Sequence, residues 1–155
     1  EGDGILVFVI GTSETSKVSL FNPKTPAEKE IMRAEKINNI WNSINSNYNF
    51  GSFVVTTDSL LNTNTENITV LTADGQSQYN TAGKKVYYAK IDELFLSESG
   101  LVKWGVFVFD ADMNRLVDPF PYFTPYRQLD QKFETADMMI KTFNLRLKQF
   151  GKTED

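Results

Sequence analysis

Residues 5–10 read ILVFVI, six apolar residues in a row with no polar interruption. A strand with one wet face alternates apolar and polar side chains. A continuous β-branched and aromatic run instead predicts a strand covered on both faces, near the centre of a sheet. Six residues are far too few to cross a bilayer, which takes about 20. The run also lacks the charged leader and small-residue cleavage site of a signal peptide. A chain of 155 residues fits one domain. Folding at this size hides roughly 70% of the unfolded surface, so no disulfide or metal staple is needed.

The segments that follow are well punctuated. Residues 17–21 (KVSLF) alternate and are expected to pair with the first strand. Thr25-Pro26-Ala27-Glu28 sets a capping Thr, a Pro at the first helical position and a Glu at the third, which predicts a helix start with a capping box. The helix is expected over 26–46, with an apolar stripe of Ile31, Ala34, Ile37 or Asn38, Trp41 and Ile44. Residues 50–57 read as a second core strand and 62–67 as an exposed loop. A hairpin is expected at Asp74-Gly75 between strands 68–72 and 76–80, and a further turn at Ala82-Gly83. Strands at 85–91, 101–109 and 115–117 follow, separated by breaks at 97–100 and 110–114. Turns roughly every ten residues predict an antiparallel arrangement. The last helix, 128–150, repeats Leu129, Phe133, Ala136, Ile140, Phe143, Leu147 and Phe150, and Gly151 is expected to close it. The expected fold is thus α+β, a single domain over 5–150. It has an antiparallel sheet of five to seven strands, two amphipathic helices (26–46, 128–150) on one face, and flexible ends at 1–4 and 151–155.

The composition excludes much chemistry. With no Cys and no His, thiol catalysis, disulfides, thiolate zinc, iron–sulfur clusters and imidazole catalysis are absent. The net charge of −4, and the lack of any cation between Lys36 and Lys84, argue against nucleic acid as a partner. Asp110, Asp112 and Asn114 match the first ligand positions of a calcium loop, but Arg115 stands where Gly is required and Pro121 where the bidentate Glu belongs. A β-turn is the expected reading, with these three as weak metal candidates only. Asp130, Glu134 and Asp137, and the pair Asp92-Glu93, read as solvated acids. Ser97 or Ser99 near Lys103 shows no catalytic motif, and Asn67-Ile68-Thr69 is a short glycosylation sequon. No cofactor is expected.

Residues 119–126 (PFPYFTPY) are the most unusual stretch, with three prolines and four aromatics that cannot continue a central strand. Phe120, Tyr122, Phe123 and Tyr126, joined by Trp104 and Tyr88, are the candidate ligand- or partner-binding residues, against the alternative that the loop plugs one end of the sheet. Residues 104–119 (WGVFVFDADMNRLVDP) resemble the central hairpin of extracytoplasmic PAS-like (Cache) sensor domains, an apolar strand, an Asp-rich turn and a second strand ending near Pro. The order of the first half is similar to profilin-like or longin-like domains. The expected function is a non-catalytic binding module, an extracytoplasmic sensory or accessory domain for a small ligand or partner protein. The alternative is a structural or assembly subunit of a secretion system or virion that oligomerises through its C-terminal helix.

Overall fold

The computed structural model describes residues 4–12, 25–96, 100–116, 123–125 and 134–152. The elements run β1 (Gly4–Ile10), α1 (Pro26–Asn47), β2 (Phe53–Thr57), β3 (Asn67–Thr72), β4 (Gly75–Asn80), β5 (Lys85–Leu96), β6 (Leu101–Phe109), β7 (Phe123–Pro125) and α2 (Glu134–Lys152). A five-stranded sheet has the order β2-β1-β5-β6-β7, and β3-β4 forms a separate hairpin.

The apolar run does what its composition requires. Phe8 and Ile10 enter one core with Ile40 and Ile44 of α1 and Met139, Ile140, Phe143 and Leu147 of α2. Val7 and Val9 point to the opposite side and meet Ile68 and Val70 of β3. Both helices therefore lie on one face, as expected, while the β3-β4 hairpin covers the other. Thr56 Oγ1 fixes that hairpin by donating to the Thr69 carbonyl at 2.7 Å.

The pairing departs from an all-antiparallel sheet. β1 runs parallel to β2 (Leu6 opposite Phe53) and parallel to β5 (Ile5 opposite Val86). Only β5-β6 and β6-β7 are antiparallel within this sheet. The reason is connectivity: α1 carries the chain from the end of β1 back to the start of β2, and β3-β4 carries it back again to β5, so all three strands point the same way. Both edges of β1 are occupied, which leaves no edge for the pairing expected of 17–21, itself outside the described residues. A PAS-like or profilin-like antiparallel outline does not describe β2-β1-β5. The return strand expected at 115–117 is a single bridge from Arg115 to Phe109.

The capping box forms: Glu28 N donates to Thr25 Oγ1 and Thr25 N donates to Glu28 Oε2, each at 3.2 Å. The stripe behind it is corrected. Ile31 and Ala34 are exposed, whereas Ile40, Ser43 and Ile44 are buried. Spacings averaging 3.5 drift around a helix with 3.6 residues per turn. In addition, every residue from Pro26 to Glu35 is exposed, so the first turns of α1 take no part in the core. α2 runs through Gly151 to Lys152 rather than stopping at the glycine, and residues 128–133 lie outside the described set. The Asp74-Gly75 and Ala82-Gly83 turns form, with positive φ at Gly75 (126°) and Gly83 (71°).

Where α1 ends, Tyr48 packs edge-on to Phe8 (5.0 Å between centroids) and Phe53 (5.2 Å). Asn144 then clamps the turn, accepting from Asn49 N and donating to Asn49 Oδ1, both at 3.0 Å.

Candidate functional site

β1 and β2 end together, while β5 runs on beside them to Leu96. Gly11 N, just past β1, donates to Ile91 O at 2.9 Å, and Asp58 N, just past β2, donates to Ile10 O at 3.1 Å. The ladder thus brings Gly11, Thr12, Asp58 and Asp92 to one edge. Thr12 is held there by Asp58: its N–H donates to Oδ2 at 3.1 Å and its hydroxyl donates to Oδ1. Asp92, the residue after Ile91 on β5, presses its carboxylate against the Gly11 main chain. A Cβ on Gly11 would lie 2.5 Å from Asp92 Oδ2 and 2.8 Å from Oδ1, so a side chain there would displace the carboxylate.

Topology makes this edge distinctive. From β1 the chain crosses one face through α1 to β2, then crosses the other face through β3-β4 to reach β5 on the far side of β1. The direction of winding reverses at the β1-β5 boundary, where Gly11 and Asp92 meet. Open sheets take ligands in the crevice beyond the carboxyl ends of their strands at such a reversal.

The residues expected from the sequence are placed differently. Tyr88 is buried against Val7 and Phe109, and that burial raises its phenol above the ordinary value. Trp104 is half-buried on the helix side, with Lys36 Nζ 5.5 Å from its ring centroid. The two occupy opposite faces of the sheet and do not line a common surface. Phe123 opens β7 opposite Phe107, while Phe120, Tyr122 and Tyr126 lie outside the described residues.

Asp110 builds a turn, as expected. Its Oδ1 accepts from Asp112 N and Asn114 N, both at 2.9 Å, and its Oδ2 accepts from Asn114 Nδ2 at 3.3 Å. The Asn114 amide foremost, and the other donors, hold its carboxyl below the ordinary value. Met113 takes a positive φ of 64° to close the turn. Among the described residues no three Asp or Glu side chains converge on a cation-sized space. Asp137 accepts from Asn47 Nδ2 at 3.0 Å and so ties α2 to the end of α1. Asp130 lies outside the described residues, as do Ser97 and Ser99; Glu134 opens α2, and Asn67 stands exposed at the start of β3. No described helix is long and apolar enough to cross a membrane.

Sequence reasoning passed over Gly11, Thr12 and Asp58. The signal was present: Gly-Thr directly after a both-faces-buried strand, a polar stretch, then a capped helix, the order of a strand–helix–strand crossover. Family models, curated proteins and solved structures offer no match to this chain.

Proposed function

We propose that the chain is a non-catalytic binding module that holds a small polar ligand at the carboxyl ends of β1 and β2, beside Asp92 of β5. The observation that carries this reading is the reversal of winding at β1-β5, where the Asp92 carboxylate closely approaches Gly11. The rule is one of fold; the residues supply the chemistry. Each Asp58 oxygen already accepts a hydrogen bond from Thr12, so Asp58 positions Thr12. Thr12 then offers an acceptor oxygen and Asp92 places a carboxylate beside it, which suits a ligand bearing N–H or O–H donors.

Two further facts support binding over catalysis. The chain has no imidazole or thiol. The perturbed carboxylate Asp110 spends its oxygens on its own turn rather than on a substrate. A sensory or accessory role fits such a module, since α1 opens from the same end of the sheet with its first turns exposed to a partner protein.

The test is thermal denaturation of the chain with amino acids, polyamines, monosaccharides and nucleosides. A true ligand at 100 times its Kd stabilises by about 2.7 kcal/mol. The stabilisation is expected to vanish in Asp92→Asn and to weaken in Thr12→Val. A ligand whose effect survives both substitutions binds elsewhere and refutes the reading.

A further inference from the structure

Four of the five large hydrophobic side chains that stand exposed among the described residues lie on the helices: Ile31 (60%) and Met32 (46%) on α1, Met138 (65%) and Leu145 (55%) on α2. On α1 they belong to the set Glu28, Ile31, Met32 and Glu35, spaced i, i+3, i+4, i+7 and therefore on one face. That face carries two acids. The cations of the same turns, Lys29, Arg33 and Lys36, lie on another side; Lys36 reaches over Trp104, and Arg33 pairs with Glu30 at 3.4 Å.

α2 shows the opposite sign. Met138, Lys141, Leu145, Lys148 and Lys152 recur at i, i+3, i+7, i+10 and i+14, on the side away from the buried Ile140, Phe143 and Leu147. From 138 to 152 the helix holds four cations, Arg146 included, and no acid, in a chain where acids outnumber bases 20 to 16. The helix dipole favours cations in the last turn only. It accounts neither for Lys141 nor for the exposed Met138 and Leu145.

We propose that these two faces bind each other between two copies of the chain. The Glu28, Ile31, Met32 and Glu35 face of one protomer docks on the Met138, Lys141, Leu145 and Lys148 face of its partner, and the reciprocal contact closes a two-fold dimer. Pairing either face with itself would set acid against acid or lysine against lysine; the crossed pairing sets opposite charges around apolar contacts. The α1 face is open to such a partner, since every residue from Pro26 to Glu35 is exposed. The dimer is independent of the ligand reading above.

Sedimentation of the full chain tests this, with two variants. Glu28→Gln/Glu35→Lys reverses the acidic face while keeping a residue that serves the capping box; Lys141→Glu/Lys148→Glu reverses the basic one. The wild type is expected to dimerise, less tightly in about 0.5 M salt. Each variant alone is expected to lose about tenfold or more in affinity. An equimolar mixture of the two is expected to form a heterodimer, because one of its contacts is wild-type and the other joins the two reversed faces. A wild type that stays monomeric, variants that dimerise undiminished, or a mixture that stays monomeric overturns the proposal. So does a monomeric wild type that binds anionic vesicles through Lys141 and Lys148, which would assign the basic face to a lipid surface.

Discussion

Replacing Gly11 with Ala adds one methyl group where the Asp92 carboxylate already stands. The added carbon would lie 2.5 Å from Oδ2 and 2.8 Å from Oδ1, against an ordinary contact of 3.4 Å or more. Gly11 does not occupy the left-handed region, so backbone strain is not part of the cost. Overpacking of this kind costs about 1–3 kcal/mol. Against it stands the entropic gain of Gly→Ala at a compatible backbone, about 0.4–1 kcal/mol. The single variant should therefore lose stability, and at this chain length each kcal/mol lowers Tm by roughly 2–4 °C. In an Asp92→Ala background the opposing atoms are gone and only the entropic gain remains. The same substitution should then raise Tm, so its effect changes sign between backgrounds. Chemical denaturation of the wild type, both single variants and the double variant reads this coupling directly. An effect of equal sign and size in both backgrounds would refute the close approach, and with it the placement of Asp92 in the candidate site.

Two other outcomes follow from burial. The Tyr48 phenol, enclosed by Phe8, Phe53 and Phe143, is pushed by burial above its ordinary value of 10.0. Below about pH 10 both folded and unfolded chains keep the proton; above it the unfolded chain ionises first and stability falls. Urea midpoints between about pH 8 and 11 should therefore fall more steeply in the wild type than in Tyr48→Phe, and identical slopes would contradict the burial. Thr124 Oγ1 on β7 is buried with no hydrogen-bond partner among the described residues. Thr124→Val removes that unmet group at constant shape and should stabilise by about 1 kcal/mol; a loss of stability would mean that the hydroxyl is bonded.

Much of the local structure was legible in the sequence. The capping box at Thr25, the positive-φ glycines at Gly75 and Gly83, and the Asp110 turn each follow from side-chain chemistry that acts within a few residues. Strand direction did not follow, because it depends on which segment returns to which. The run 5–10 carries the composition of a strand in a parallel sheet, but regular turns further along pointed to antiparallel pairing. Which turns of α1 pack on the core was equally hidden: Ile31 and Ile40 are the same residue type, yet one is exposed and the other buried. The candidate site suffered most, since Gly11, Asp58 and Asp92 are distant in sequence and meet only once three strands are aligned. The aromatic loop stood out by composition, which measures how unusual a segment is and not what it faces.

The central position of β1 bears on how the chain is made. Its partners, Phe53 on one side and Val86 on the other, are synthesised long after it. An emerging chain therefore carries a bare apolar strand that cannot settle until β5 has left the ribosome, because both of its edges and both of its faces are completed by later residues. Contacts this distant in sequence are slow to form, and an unpaired apolar strand is prone to pair with other chains. The strand enclosed on both edges and both faces in the finished fold is thus an exposed liability during synthesis.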